Sequence, residues 1–407
     1  HHSDAWHYWA IALSRKNEYE AALEKAKNCL NVSPLKIESH INMGEILTAL
    51  GKYEEANESF KLAQKINKNM PELYLSWGIA LQKSGDHYEA INKLEKAISL
   101  MDKNVCAMYY LALSKAEIGE CEESLDLLNK VLELDPRYID AYAKMGSVYN
   151  IIGGLLKAID SYKTAIKLSR KNQHLNYLIA STYFTMGDFD NAVKYFSIHL
   201  ESEPNHLESL VNLAISYSEK NDIKEAIRKI RNAYKLDPEN ARINFIYGII
   251  LSRSEQFLRD ALEKFNNAIK YDSDLFAAYI GKSETLIKLR LYNEAIMTLN
   301  EALIKRPDSV EALFTLGIAY LEMADYENNS VLLENALECL DKVIKINSDH
   351  LESHINIAYI SAKKGNYKEF EDYIKNLIEK YPDYYDNIYN YLEACIERLG
   401  YSKTVKE

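Results

Sequence analysis

A 34-residue period governs this chain. Gly44, Gly51, Tyr53, Ala56, Phe60 and Ala63 form a pattern that returns 34 positions later as Gly78, Gly85, Ala90, Leu94 and Ala97. Spacing of this kind marks a stack of identical supersecondary units, each burying its apolar face only against its neighbours. A stack escapes the limit that holds single hydrophobic cores to about 250–300 residues. The 407 residues are therefore expected to form one array with a long surface in place of a closed pocket.

Aligned on alanine and proline landmarks, the repeats run 3–36, 37–70, 71–104, 105–138, 139–172, 173–206, 207–240, 241–275, 276–309, 310–350 and 351–384. A last helix over about 385–399, carrying Tyr385, Ile388, Tyr391, Leu392 and Cys395, is expected to cap the exposed end. Each repeat should hold a first helix of about 14 residues, a short turn and a second helix of similar length.

The recurring residue types have physical reasons. The eighth position is small in ten repeats: Ala10, Gly44, Gly78, Ala112, Gly146, Ala180, Ala214, Gly248, Gly317 and Ala358. A small side chain there lets the two helices of a repeat approach closely. Gly51, Gly85, Gly119, Gly153, Gly187 and Gly365 hold the fifteenth position, where a left-handed cap ends the first helix. Alanine at the twentieth position (Ala22, Ala56, Ala90, Ala158, Ala192, Ala226, Ala295) is a second close-contact point. Prolines such as Pro136 and Pro238 stop the second helix.

Two repeats depart from the period. The eighth carries one extra residue around 256–260, expected in its inter-helix turn. The tenth carries seven, through Asp325-Tyr326-Glu327-Asn328-Asn329-Ser330. Seven residues are almost two helical turns. The second helix is thus expected to lengthen without rotating its apolar face, carrying Val331, Leu332 and Leu333 past its neighbours. This reads as a tolerated extension, with a partner-contacting spur as the alternative.

Bulk composition narrows the class to all-α. Fourteen glycines and seven prolines are too few for disorder or for a turn-rich β fold. The net charge of −11 argues against a nucleic-acid binder and against a surface for anionic lipids. No run of 18 apolar residues is present to span a membrane. The start, His1-His2-Ser3-Asp4, has no apolar signal core and reads as a tag remnant on a shortened terminus. Cys29, Cys106, Cys121, Cys339 and Cys395 are scattered without a C-x-x-C pair, which points away from disulfides and zinc and toward the cytoplasm.

Trp6-x-x-Trp9-Ala10 and Tyr74-x-x-Trp77-Gly78, continuing to Gly85, Ala90 and Ala97, resemble the tetratricopeptide repeat (TPR) family over almost the whole chain. The resemblance implies an α-solenoid of antiparallel helix pairs, coiled as a right-handed superhelix of about seven or eight repeats per turn. It also implies that first helices line a concave wall, with positions two, five, six, nine, twelve and thirteen facing the groove.

Read down the chain, those columns have character. Position two is Asp4, Glu38, Glu72, Asp140, Glu208, Glu311, Glu352 and Asp386, broken by Cys106, His174, Arg242 and Ala277. The series reads either as an acidic edge for a basic partner or as carboxylates favoured at helix starts by the dipole. Position five (His7, Ile41, Leu75, Tyr109, Ala143, Tyr177, Val211, Phe245, Ile280, Phe314, Ile355) and position nine, with Ile11, Ile79, Leu113, Ile215, Ile249, Ile318 and Tyr359, are unusually apolar for a solvated wall. Curvature buries some of this surface; the rest suits an extended or helical peptide. Position six offers only Asn42, Asn212 and Asn356, separated by Ser76, Tyr110, Lys144, Leu178, Ile246, Gly281 and Thr315. Neither the carboxylate clamp of the family nor its consecutive asparagine ladder is supplied.

No catalytic motif accompanies the repeats: there is no phosphate loop, no G-x-S-x-G and no H-E-x-x-H. His350 and His354 have metal-ligand spacing but straddle two repeats, and read as surface or core histidines. The expectation is a protein-interaction scaffold, not an enzyme, without cofactor or metal, taking a protein or peptide partner with basic and apolar residues. The groove set is Asn42, Tyr109, Lys144, Tyr177, Ser181, Phe184, Asn212, Phe245, Phe314, Asn356 and Tyr359, with aromatic anchors and asparagines for a partner's backbone. The alternatives are the substrate-recruiting arm of a larger glycosyltransferase-like enzyme and a self-assembling scaffold.

Overall fold

The computed structural model describes residues 2–169 and 173–382. Its elements are helix pairs. They begin with α1 (His2–Arg15), α2 (Tyr19–Val32), α3 (Ile37–Ala49), α4 (Tyr53–Ile66), α5 (Pro71–Ser84) and α6 (His87–Leu100). There follow α7 (Val105–Glu117), α8 (Cys121–Leu134), α9 (Ile139–Ile151), α10 (Leu155–Leu168), α11 (His174–Thr185) and α12 (Phe189–Ser202). Then come α13 (Leu207–Glu219), α14 (Ile223–Leu236), α15 (Ala241–Ser252), α16 (Leu258–Tyr271), α17 (Phe276–Lys288) and α18 (Tyr292–Lys305). Last are α19 (Val310–Glu327), α20 (Ser330–Ile346), α21 (Leu351–Lys363) and α22 (Tyr367–Lys380). The helices form two compact bodies, His1–Ser202 and Glu203–Glu407. The capping helix expected over about 385–399, with Asp386 and Cys395, lies outside the described residues.

Within each body the packing order is the same. The helices of a pair contact along their length, and each second helix touches the next first helix. First helices also touch one another directly, α1 on α3, α3 on α5 and α5 on α7, and in the second body α13 on α15, α15 on α17 and α17 on α19. Among the described residues no comparable contact joins successive second helices. First helices therefore make an inner layer and second helices an outer one.

Contact at the eighth position has the predicted cause. Gly44 lies against the ring of Phe60, where a Cβ would sit 2.6 Å from ring carbons, and a Cβ on Gly78 would sit 2.5 Å from Leu94 Cγ. The large partner follows sixteen residues after the small one, at 44 and 60, 78 and 94, 146 and 162. Phe60, Leu94 and Phe265 are fully buried. Each such side chain contributes about 1.5–3 kcal/mol of burial. At the fifteenth position Gly51 and Gly85 have φ of 73° and 88°. Asn17, Asn221 and Arg290 hold the same slot in other repeats at 61°.

The two departures resolve differently. The extra residue of the eighth repeat becomes a 3-10 turn at Glu255–Phe257, as expected for its inter-helix turn. The tenth repeat corrects the expectation that its second helix alone lengthens. There α19 has 18 residues and α20 has 17, against 13 and 14 in α3 and α4. An antiparallel hairpin grows by a turn on each arm, which takes about 7.2 residues. Asn328 closes it in the left-handed conformation at φ 51°. Leu333 packs inside the lengthened hairpin, so of the predicted projecting trio only Val331 is exposed.

Candidate functional site

The inner layer places the predicted columns where first helices pack side by side, so most of these side chains are half-buried. Tyr109 meets Tyr110 edge-on and Tyr138 at a tilt, with ring separations of 5.5 and 5.0 Å. Burial, with Asp140 nearby, pushes the Tyr109 hydroxyl pKa up. Burial also takes Tyr138 up to about 12, so both rings stay neutral at any ordinary pH. Tyr177 lies 6.2 Å from Phe196 and 5.6 Å from His199, and Phe184 meets the Phe189 and Phe196 rings. Phe245 tilts on Phe265, and Phe314 on His350 at 4.9 Å. These five of the six predicted aromatics keep a partly wet face.

The remaining members separate. Asn212 and Ser181 are half-buried, and the Ser181 hydroxyl meets no hydrogen-bond partner among the described residues. Lys144 is committed to Glu117 of the preceding first helix at 3.0 Å. Asn356 is 6% exposed and donates to the Glu352 carbonyl at 2.7 Å, so its carboxamide serves its own helix. Tyr359 is 1% exposed, and its hydroxyl donates to Asp325 at 3.1 Å. The longer α19 delivers that carboxylate, which also pairs with Lys363. Tyr359 is thus a core residue in this structure and not an accessible anchor.

The acidic edge is real but interrupted. Glu38, Glu72, Asp140, Glu311 and Glu352 are exposed. Asp4 pairs with Lys36, which holds its carboxyl below the usual range. Arg242, a break in the series, reaches back one repeat to Glu208 at 3.2 Å. The position-thirteen pair Glu219 and Arg253 meets at 2.6 Å in the same way.

One concavity stands out on the wall of the first body. About 410 Å³ in volume, it is lined by α1, α3 and the start of α5, with Asn42, Ile41, Glu38, Glu45, Met70 and Glu72 among its residues. Asn42 is 8% exposed, and its Oδ1 accepts no hydrogen bond. The column reading found Asn42, Ile41, Glu38 and Glu72 but not Glu45 or Met70. Glu45 is a polar member of the otherwise apolar position-nine column, and Met70 precedes α5, outside the groove positions of its repeat.

The histidines at 350 and 354 are occupied structurally. His350 caps α21 by accepting from the Ser353 amide at 3.2 Å. His354 bonds Tyr373 at 2.6 Å and the Ser348 carbonyl at 2.9 Å. Among the described residues no helix is long and apolar enough to cross a membrane.

Comparison with known proteins agrees with the repeat geometry. A tetratricopeptide repeat model matches residues 37–70 and 139–172, the boundaries of the second and fifth repeats, and another matches 107–138. A model described as the TT21 fifth ARM repeats domain matches 173–278. The human protein O-mannosyl-transferase TMTC3 is 23% identical over 87% of this chain, which spans 36% of its length. A TPR repeat-containing protein of Methanocaldococcus jannaschii is 25% identical over 81% of the chain and is matched over 61% of its own length. The bovine BBSome complex member BBS4 is 22% identical over 65% of the chain, with 59% of its length matched. Among solved structures, YrrB, a TPR protein, is 22% identical with a TM-score of 0.41, covering 46% of this chain and 95% of its own.

Proposed function

The chain belongs to the tetratricopeptide repeat proteins, and from that premise we propose that it is a protein-interaction scaffold taking peptide segments along its first-helix wall. One observation carries the reading. Leu75, Tyr109, Tyr177, Phe245, Ile280 and Phe314 recur at one helical position and stay partly exposed after the helices have packed. A wall built only to hold the array together has no use for large apolar side chains facing water. Aromatic residues in such places are the usual anchors of an interface, worth about 2 kcal/mol or more each where they are fully covered. A cytoplasmic location, the absence of catalysis and a single continuous superhelix belong to the same proposal.

Capture of partners from lysate, read by mass spectrometry, tests it. Tyr177→Ala combined with Phe245→Ala should remove the captured set while circular dichroism stays unchanged. Undiminished capture would place binding elsewhere.

A second reading has its own support. Likeness to an O-mannosyl-transferase, of which this chain spans about a third, favours a recruiting arm for a larger transferase. Neighbouring sequence in the gene separates the two readings.

A further inference from the structure

The concavity lined by α1, α3 and the start of α5 is chemically one-sided. Its rim carries three exposed carboxylates, Glu38, Glu45 and Glu72, against one cation, Arg15. Ile41 and Met70 supply apolar surface. The Ser76 hydroxyl donates to Glu45 at 2.6 Å and steadies that carboxylate, leaving its second oxygen available. Asn42 adds an independent sign. It is more than nine-tenths buried and lines the same concavity, yet its carbonyl oxygen meets no donor. An unmet buried acceptor costs about 1–3 kcal/mol, which a ligand's N–H recovers once the carboxamide turns toward it. His7 adds no positive charge at neutral pH, because burial lowers its pKa and its Nδ1 shares a hydrogen bond with Ser39 Oγ at 3.0 Å.

Each ligand class can be weighed against this lining. An anionic group would face three carboxylates. A purely apolar side chain would leave the Asn42 oxygen unmet and strip water from the rim. A cation on an aliphatic stem satisfies all the parts at once: the stem lies on Ile41 and Met70, and the donors reach Asn42 and the carboxylates. We propose that this concavity is a subsite for a lysine or arginine side chain of an extended partner peptide. The inference rests on the peptide-binding reading given above, for which it names the chemistry at one place on the wall.

A printed array of random dodecapeptides, incubated with the full chain, separates the inference from the reading it rests on. The expected result is that bound peptides are enriched in lysine and arginine. Replacing Glu38, Glu45 and Glu72 together by glutamine should weaken the selected basic peptides by about tenfold, with far-UV circular dichroism unchanged. Arg15→Ala should strengthen them. Asn42→Leu should weaken them too, without lowering the melting temperature, since it removes an acceptor that the free protein leaves unmet. Bound peptides with no basic enrichment, or an enrichment that survives the triple glutamine change, would overturn the inference and leave the wall as a peptide-binding surface. An array on which nothing binds would overturn both.

Discussion

The third and tenth repeats answer the same packing problem with chains of different length. In the third, Gly78 on α5 meets Leu94 on α6 sixteen residues later. In the tenth, Gly317 on α19 meets Leu340 on α20 twenty-three residues later. The contact survives a seven-residue difference because the added chain sits beyond it, at the far end of the hairpin. The eighth repeat gives the intermediate case, with Gly248 against Phe265 at a spacing of seventeen. The pair contact is the fixed point of a repeat, and its turn is the adjustable part.

Glycine substitutions test this most severely. Gly78→Ala should destabilise its repeat by about 1–3 kcal/mol, because Leu94 Cγ would lie 2.5 Å from the new methyl group. Gly317→Ala meets Leu340 at 3.0 Å and should cost under about 1 kcal/mol. Hydrogen exchange resolved by peptide is the right measurement, since a repeat array need not unfold as one unit. Equal losses at both sites would break the distinction drawn from the two spacings.

A smaller effect belongs to the lengthened hairpin alone. Asp325→Asn should cost roughly 1–2 kcal/mol by weakening the bonds to Tyr359 and Lys363, and should speed exchange in α21. If α21 is unaffected, the extension is not integrated into the next repeat. Smaller again is a gain. Arg290 occupies the left-handed slot that glycine fills elsewhere, so Arg290→Gly should raise stability by about 0.5–1 kcal/mol in thermal melts.

The least effect at neutral pH concerns Cys339, inside the tenth repeat. Burial raises its thiol to about 11. The folded state then holds this proton where the unfolded chain has lost it, so stability should fall only as pH rises from roughly 9 toward 11. At pH 8 a maleimide should label the exposed Cys106 quickly and Cys339 slowly. Equal rates would show that the repeat opens.

Much of this fold was legible because its rules are local. The helix-pair pattern and the glycine slots followed from spacing, and the described residues hold a first and a second helix in every repeat. Asn17 and Asn221 carry a signal for this slot in their residue type, since asparagine tolerates the left-handed region. Arg290 carries no such signal. The candidate wall was less legible, because a column fixes the direction of a side chain but not what a neighbouring element brings to it. Tyr359 and Phe314 both lie in apolar groove columns. Only Tyr359 is sealed, because a helix one turn longer carries Asp325 to its hydroxyl. Asn42 and Asn356 share a position as well, yet Asn356 bonds its own helix and Asn42 leaves its oxygen unmet.

The hairpin of the tenth repeat also has a unit of growth. One added turn on each arm adds an inward rung, represented on α19 by Ala324, which is buried. An insertion of about 7 residues, or of about 14, therefore supplies whole rungs and lets the arms close. One of 3 or 4 would bring the arms round on opposite faces and need a longer loop. The tip of this hairpin is the place on the chain where length can be added in fixed steps while the packing beneath it stays as it is.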